Sequence, residues 1–103
     1  MSNTKNIRID ASKLKRLLKI LPGVGTKEAE IYTWQRNKGL VEVWVNSPDA
    51  TERRENTLVI SCMRLLDDSG DYELQIFSKR IDALPERFKL KVRAALAEIR
   101  IKE

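Results

Sequence analysis

The sequence predicts an α+β fold, an antiparallel sheet of three or four strands flanked by an N-terminal and a C-terminal helix. Helical periodicity at both ends is the first reason. Leu14, Leu17, Leu18 and Leu21 recur at i, i+3, i+4 and i+7, and Phe88, Val92, Ala95, Leu96 and Ile99 form a similar stripe. The second reason is a middle region of β-rich runs separated by turn residues. The third is size: 103 residues with 42% hydrophobic and 34% charged content suit one domain, residues 1–103, around a single core.

In chain order, Asn6-Ile7-Arg8-Ile9 alternates polar and apolar but is too short to define a strand by itself. Asp10 or Ser12 can cap a helix from about Ala11 to Leu21. Its leucines gather on one stripe, Lys15, Arg16 and Lys19 point the other way, and Lys13 sits at the flank. Pro22-Gly23 stops it. The next segment reads two ways. As a helix, Thr26 caps residues Lys27 to about Asn37 and Gly39 ends them. As a strand, Glu30 to Gln35 is dense in β-formers, and Asn37-Lys38-Gly39 makes a three-residue hairpin turn with a left-handed glycine. Leu40 to Val45 then returns with Val41, Val43 and Val45 on one face.

Ser47 to Asn56 is polar, contains Pro48 and reads as the main loop. Thr57 to Leu66 is a strand with Leu58, Ile60 and Cys62 on one face and Val59, Met63 and Leu65 on the other, a pattern expected of a strand covered on both sides. Asp67-Asp68-Ser69-Gly70 is a turn, and Tyr72 to Ile81 completes the hairpin. Leu84-Pro85 leads into the last helix, which reaches about Ile99 with Leu90 on its outer side.

Composition narrows the function classes. The chain has no histidine and one cysteine, so the commonest general acid/base is missing and zinc lacks a plausible ligand set. No pair of carboxylates has a spacing that marks acid/base work. A non-enzymatic protein with no metal or cofactor is expected. The lone Cys62 cannot form an internal disulfide and reads as a small buried apolar residue in a reducing, cytoplasmic setting. No apolar run reaches membrane-spanning length, so no membrane partner is expected. The net charge of +5 is uneven: residues 1–40 carry nine Lys/Arg against three Asp/Glu, whereas residues 41–80 carry five against eight. A basic end of this kind draws nucleic acid or an acidic protein, and otherwise is an ordinary solvated helix face.

One stretch carries a chemically specific spacing. Leu21-Pro22-Gly23-Val24-Gly25, followed after three residues by Ala29, resembles the helix-hairpin-helix DNA-binding motif, Leu-Pro-Gly-(Ile/Val)-Gly then Ala. Ile9 to Ser12 and Arg36 to Gly39 extend the similarity, toward the modules of competence-type DNA receptors, over about residues 9–40. The resemblance implies a phosphate held by the amides of Gly23, Val24 and Gly25, with Lys27 as the nearby cation. A free helix N-terminus suits an anion, and Lys15, Arg16 and Lys19 would add salt-sensitive attraction. The chain departs from the family in carrying Tyr32 and Thr33 where aliphatic residues follow the alanine.

Trp34, Trp44 and Tyr32 offer a second possibility. On neighbouring strands they could stack single-stranded bases, or instead make cross-strand core pairs or a homodimer contact. The expected function is therefore binding to a DNA or RNA backbone without strong sequence preference. The alternative is a protein-binding adaptor or inhibitor of phage or mobile-element type, docking through the sheet edge, the aromatic residues or the Leu90 side. A third option is an oligomeric component built by edge-strand pairing.

Overall fold

The computed structural model describes residues 4–21, 31–48, 51 and 53–101. They form a five-stranded antiparallel sheet of order β1-β5-β4-β3-β2 with helices on one face. The strand count is thus higher than the three or four expected, because the Asn6–Ile9 alternation is part of a true strand. β1 (Thr4–Ile9) pairs along its whole length with β5 (Tyr72–Phe77), from Thr4 opposite Phe77 to Ile9 opposite Tyr72. A six-residue strand is not stable by itself. Its ladder partner lies more than 60 residues away, and Arg8 fastens it to the turn after β4 through Asp71 (2.8 Å) and Asp67 (3.1 Å).

α1 (Ala11–Ile20) follows at once. Asp10 is extended, and its carboxylate accepts the Lys13 amide at 2.8 Å, which makes it the N-cap. Leu14, Leu17 and Leu21 are buried and Leu18 packs against the core, while Lys15, Arg16 and Lys19 stay exposed.

β2 (Ile31–Asn37) occupies the far edge and pairs with β3 (Leu40–Pro48), Ile31 opposite Val45 and Tyr32 opposite Trp44. The helical alternative for this stretch is therefore corrected from Ile31 onward. Its β-formers gain a ladder and a face of valines to pack on, which outweighs a weak helical pattern broken by Thr33. The turn is also tighter than expected. Asn37 lies opposite Leu40, leaving Lys38-Gly39 as a two-residue connection. Gly39 is not left-handed; instead the Asn37 side chain accepts its amide at 2.9 Å and closes the corner.

β4 (Arg54–Arg64) is the central strand. It starts earlier than the polar Ser47–Asn56 stretch suggests, because Asn46 pairs with Asn56 and Ser47 with Glu55. That stretch is mostly hairpin, and the connection shrinks to residues 49–53. The expected two-sided cover of β4 is also corrected. Val43 faces Ile60 but Trp44 faces Leu58, so Val59 is the extra residue of a β-bulge. The bulge turns Val59 and Ile60 both toward the core, where each is fully buried, and leaves Met63 exposed on the other face.

β5 ends at Phe77, and residues Ser78–Asp82 form the short helix α2 rather than more strand. Ile76 and Ile81 are both fully buried. In a strand, residues five apart point to opposite faces, so a helical turn is what returns Ile81 to the core. α3 (Glu86–Glu98) buries Phe88, Val92, Ala95 and Leu96 and leaves Leu90 exposed, as its periodicity requires. Its C-terminus is a Schellman cap: Arg100 is left-handed at φ 61°, and the amides of Arg100 and Ile101 donate to Ala97 and Leu96 carbonyls at 3.0 and 2.9 Å. Helices and sheet share one core built from Leu17, Val43, Ile60, Leu74, Ile76, Ile81 and Phe88.

Candidate functional site

All the helical residues of the core pack on the sheet face that carries Val41, Val43, Val45, Ile60, Cys62, Leu74 and Ile76. The opposite face carries Asn6 and Arg8 of β1, Glu73 and Gln75 of β5, Ser61 and Met63 of β4, and Glu42 and Trp44 of β3. Tyr32 and Trp34 of β2 complete it. Among the described residues, the buried side chains of the three helices belong to the core on the other face.

Its β2–β3 corner holds an aromatic cluster with an internal brace. Tyr32 lies directly opposite Trp44, with near-parallel rings 6.5 Å apart. Trp34 is 49% exposed, and the Arg36 guanidinium lies 4.6 Å from its ring centre. Glu42, itself buried, ties the halves together: its Oε1 accepts from Arg36 Nε at 2.8 Å and from Trp44 Nε1 at 3.3 Å. Burial first, and the Glu42 charge second, hold the Tyr32 hydroxyl above its ordinary range. The carboxylate therefore holds the Trp44 indole and neutralises Arg36, so this corner offers aromatic surface, most exposed at Trp34, rather than net charge.

Cations stand at its ends. Lys38 occupies the β2–β3 turn and is exposed. Trp44 borders a groove of about 810 Å³ that runs past Leu58 and Arg80 to Leu84 and Pro85. Arg80 stacks on Phe77 at 4.4 Å and donates to the Leu58 carbonyl at 3.2 Å, which holds its guanidinium at the groove wall. Chemically, this surface can stack planar groups and meet an anion at its margins. Among the described residues, no group of three or more His, Cys, Asp or Glu side chains could hold a metal ion. Cys62 is fully buried, and its thiol is pushed up to about 12 by that burial. No helix of the described residues is long and apolar enough to cross a membrane.

The residues singled out from the sequence fall into separate places. Gly23, Val24, Gly25 and Lys27 lie outside the described residues. The second helix of the helix-hairpin-helix pattern would have to continue through residues that instead form β2. Lys15, Arg16 and Lys19 line the outer side of α1, in the helical layer and away from the aromatic corner; Arg16 pairs with Glu98 of α3 at 3.7 Å. Tyr32, Trp34 and Trp44 do come together. What sequence reasoning missed is Glu42 and Arg36, the pair that braces them. The alternation Val41-Glu42-Val43-Trp44 already sets Glu42 and Trp44 on one face. Arg36 reaches the same face because the register shifts between Gln35 and Asn37, which offsets the two-residue turn.

The fold and this surface define a class in outline: an open-faced antiparallel α+β domain with helices on one side and a braced aromatic patch on the other. No protein-family model matches the chain, and neither a curated protein nor a solved structure is significantly similar to it.

Proposed function

We propose that this is a small non-enzymatic nucleic-acid-binding protein that takes single-stranded DNA or RNA on its open sheet face, in a cytoplasmic setting. The observation that carries the reading is the Tyr32–Trp34–Trp44 cluster, held by Glu42 and Arg36 on the sheet face opposite the helical core. Every base has a π-face, so stacking on these rings is tolerant of sequence. Lys38 and Arg80 would meet the phosphates at either end. The exposed cations of α1 (Lys15, Arg16 and Lys19) and the Gly23–Lys27 segment add longer-range attraction to the backbone.

The test is quenching of intrinsic tryptophan fluorescence by an oligothymidylate. Saturable quenching is expected, weakening with salt by a log–log slope of about −0.7 per phosphate contacted. Trp34→Ala should cost about 1–3 kcal/mol of binding, the range for one stacked base. Lys27→Ala should lower only the salt-sensitive part. No quenching at low salt would reject the proposal.

A second reading rests on a different patch. Met63 is 58% exposed and Leu66 wholly so, beside Lys38 and Leu40 at the end of the β3–β4 ladder. Exposed apolar side chains grouped in this way favour docking on another protein. A partner whose capture is lost in Met63→Lys/Leu66→Lys, with oligothymidylate ignored by the wild type, would decide for it.

A further inference from the structure

The two edges of the sheet are guarded differently. β1 carries Lys5 and Arg8 within six residues, and Lys5 lies on the helix-bearing face, an inward-pointing charge. Both are ordinary protections against unwanted strand addition. β2 has none from Ile31 to Gln35, a run of Ile-Tyr-Thr-Trp-Gln without charge, proline or glycine. Its one cation, Arg36, is already paired with Glu42, and it sits at a register shift between Gln35 and Asn37 that confines the unguarded run to the residues before it. β3 pairs with one side of β2, and the outer edge has no ladder partner among the described residues.

We propose that β2 is a dimerisation edge and pairs antiparallel with β2 of a second copy, about a two-fold axis through Trp34. The occupant is a second copy because the strand complements itself. Trp34 is the midpoint of the seven residues. A two-fold axis there sets Tyr32 opposite Arg36, Thr33 opposite Gln35, and Trp34 opposite Trp34, a five-residue ladder that stops at the register shift between Gln35 and Asn37. No like charges face each other, and each Arg36 meets an aromatic ring across the seam. The half-exposed indoles meet at the axis. Centring on Thr33 or Gln35 instead loses the Tyr32–Arg36 pairing. Isologous pairing of this kind closes on itself and yields a dimer rather than a fibre. It joins two five-stranded sheets into one and sets the two aromatic clusters side by side. Pairing through β2 is independent of nucleic-acid binding.

The experiment is sedimentation velocity on the full chain from micromolar to near-millimolar concentration, with two cysteine variants to read the register. The wild type should show a reversible monomer–dimer equilibrium. Trp34→Glu sets two carboxylates face to face on the axis and should leave a folded monomer. Under oxidised glutathione, which takes up the two electrons of disulfide formation, Trp34→Cys should cross-link to a dimer, whereas Gln35→Cys, which faces Thr33, should not. Cys62 is buried and does not compete. A chain that stays monomeric throughout overturns the proposal. So does a dimer that survives Trp34→Glu, or a Gln35→Cys variant that cross-links as readily as Trp34→Cys. Should Trp34→Glu fail to fold, the cross-linking pair decides.

Discussion

Removing the Glu42 carboxylate tests the brace of the aromatic corner directly. In Glu42→Ala two donors lose their common acceptor. Arg36 is about half exposed, so water takes over its hydration and the ion pair counts as a surface pair, about 0.2–1 kcal/mol. The Trp44 N–H···O contact at 3.3 Å is long and the indole only half-buried, so it contributes about 0.5–1 kcal/mol. Together these predict destabilisation of about 1–2 kcal/mol. Glu42→Gln keeps the shape and an acceptor and should lose about half as much. Urea denaturation reads all of this as a lower midpoint at unchanged m-value.

A second readout comes from Tyr32. Its hydroxyl is raised chiefly by burial and secondarily by Glu42, so Glu42→Gln should move its absorbance titration down toward the ordinary 10.0 without reaching it. The sign for stability follows. A folded-state value above the unfolded one means stability is intact below about pH 10 and erodes as pH rises through the folded value. Glu42→Gln should soften that erosion. A Glu42→Ala variant within about 0.3 kcal/mol of wild type, or a Tyr32 titration that does not move, would refute the brace.

Three further outcomes are expected. Asp10→Ala removes the α1 cap and should cost about 1 kcal/mol in urea melts, with Asp10→Asn restoring most of it. Arg100→Gly relieves a left-handed non-glycine residue while keeping the Schellman bonds, and should raise the unfolding free energy in urea melts by about 0.5–1 kcal/mol; Arg100→Ala should not. Cys62 should resist a thiol reagent in the native protein and react on unfolding. Because burial lifts its thiol from 9.0 to about 12, stability should fall as pH rises from about 9 toward 12, by at most about 4 kcal/mol, and Cys62→Ala should remove that slope.

The candidate site was half legible. Tyr32, Trp34 and Trp44 are conspicuous as residue types, and their convergence follows once residues 31–45 are taken as a hairpin. The choice between hairpin and helix is what the local pattern left open. The Gly23–Gly25 spacing pointed to a phosphate seat that needs a helix after it, yet the residues from Ile31 pair with β3. A short motif cannot weigh its own helix against a ladder whose other half is supplied later in the chain.

What the sequence alone determined is whatever is decided within one or two turns of backbone. The leucine stripe and Asp10 cap define α1, the Phe88–Ile99 stripe defines α3, and the valine alternation defines β3, since their periods and caps act between residues a few positions apart. Tertiary structure decided the rest. β1 exists because β5 pairs with it, α2 replaces strand because Ile81 must return to the core, and the bulge at Val59 sends two adjacent side chains to the same face. It also gathers the described helices on one side of the sheet. Each of these outcomes depends on burying apolar area or satisfying backbone groups against segments tens of residues away, and no local period records that.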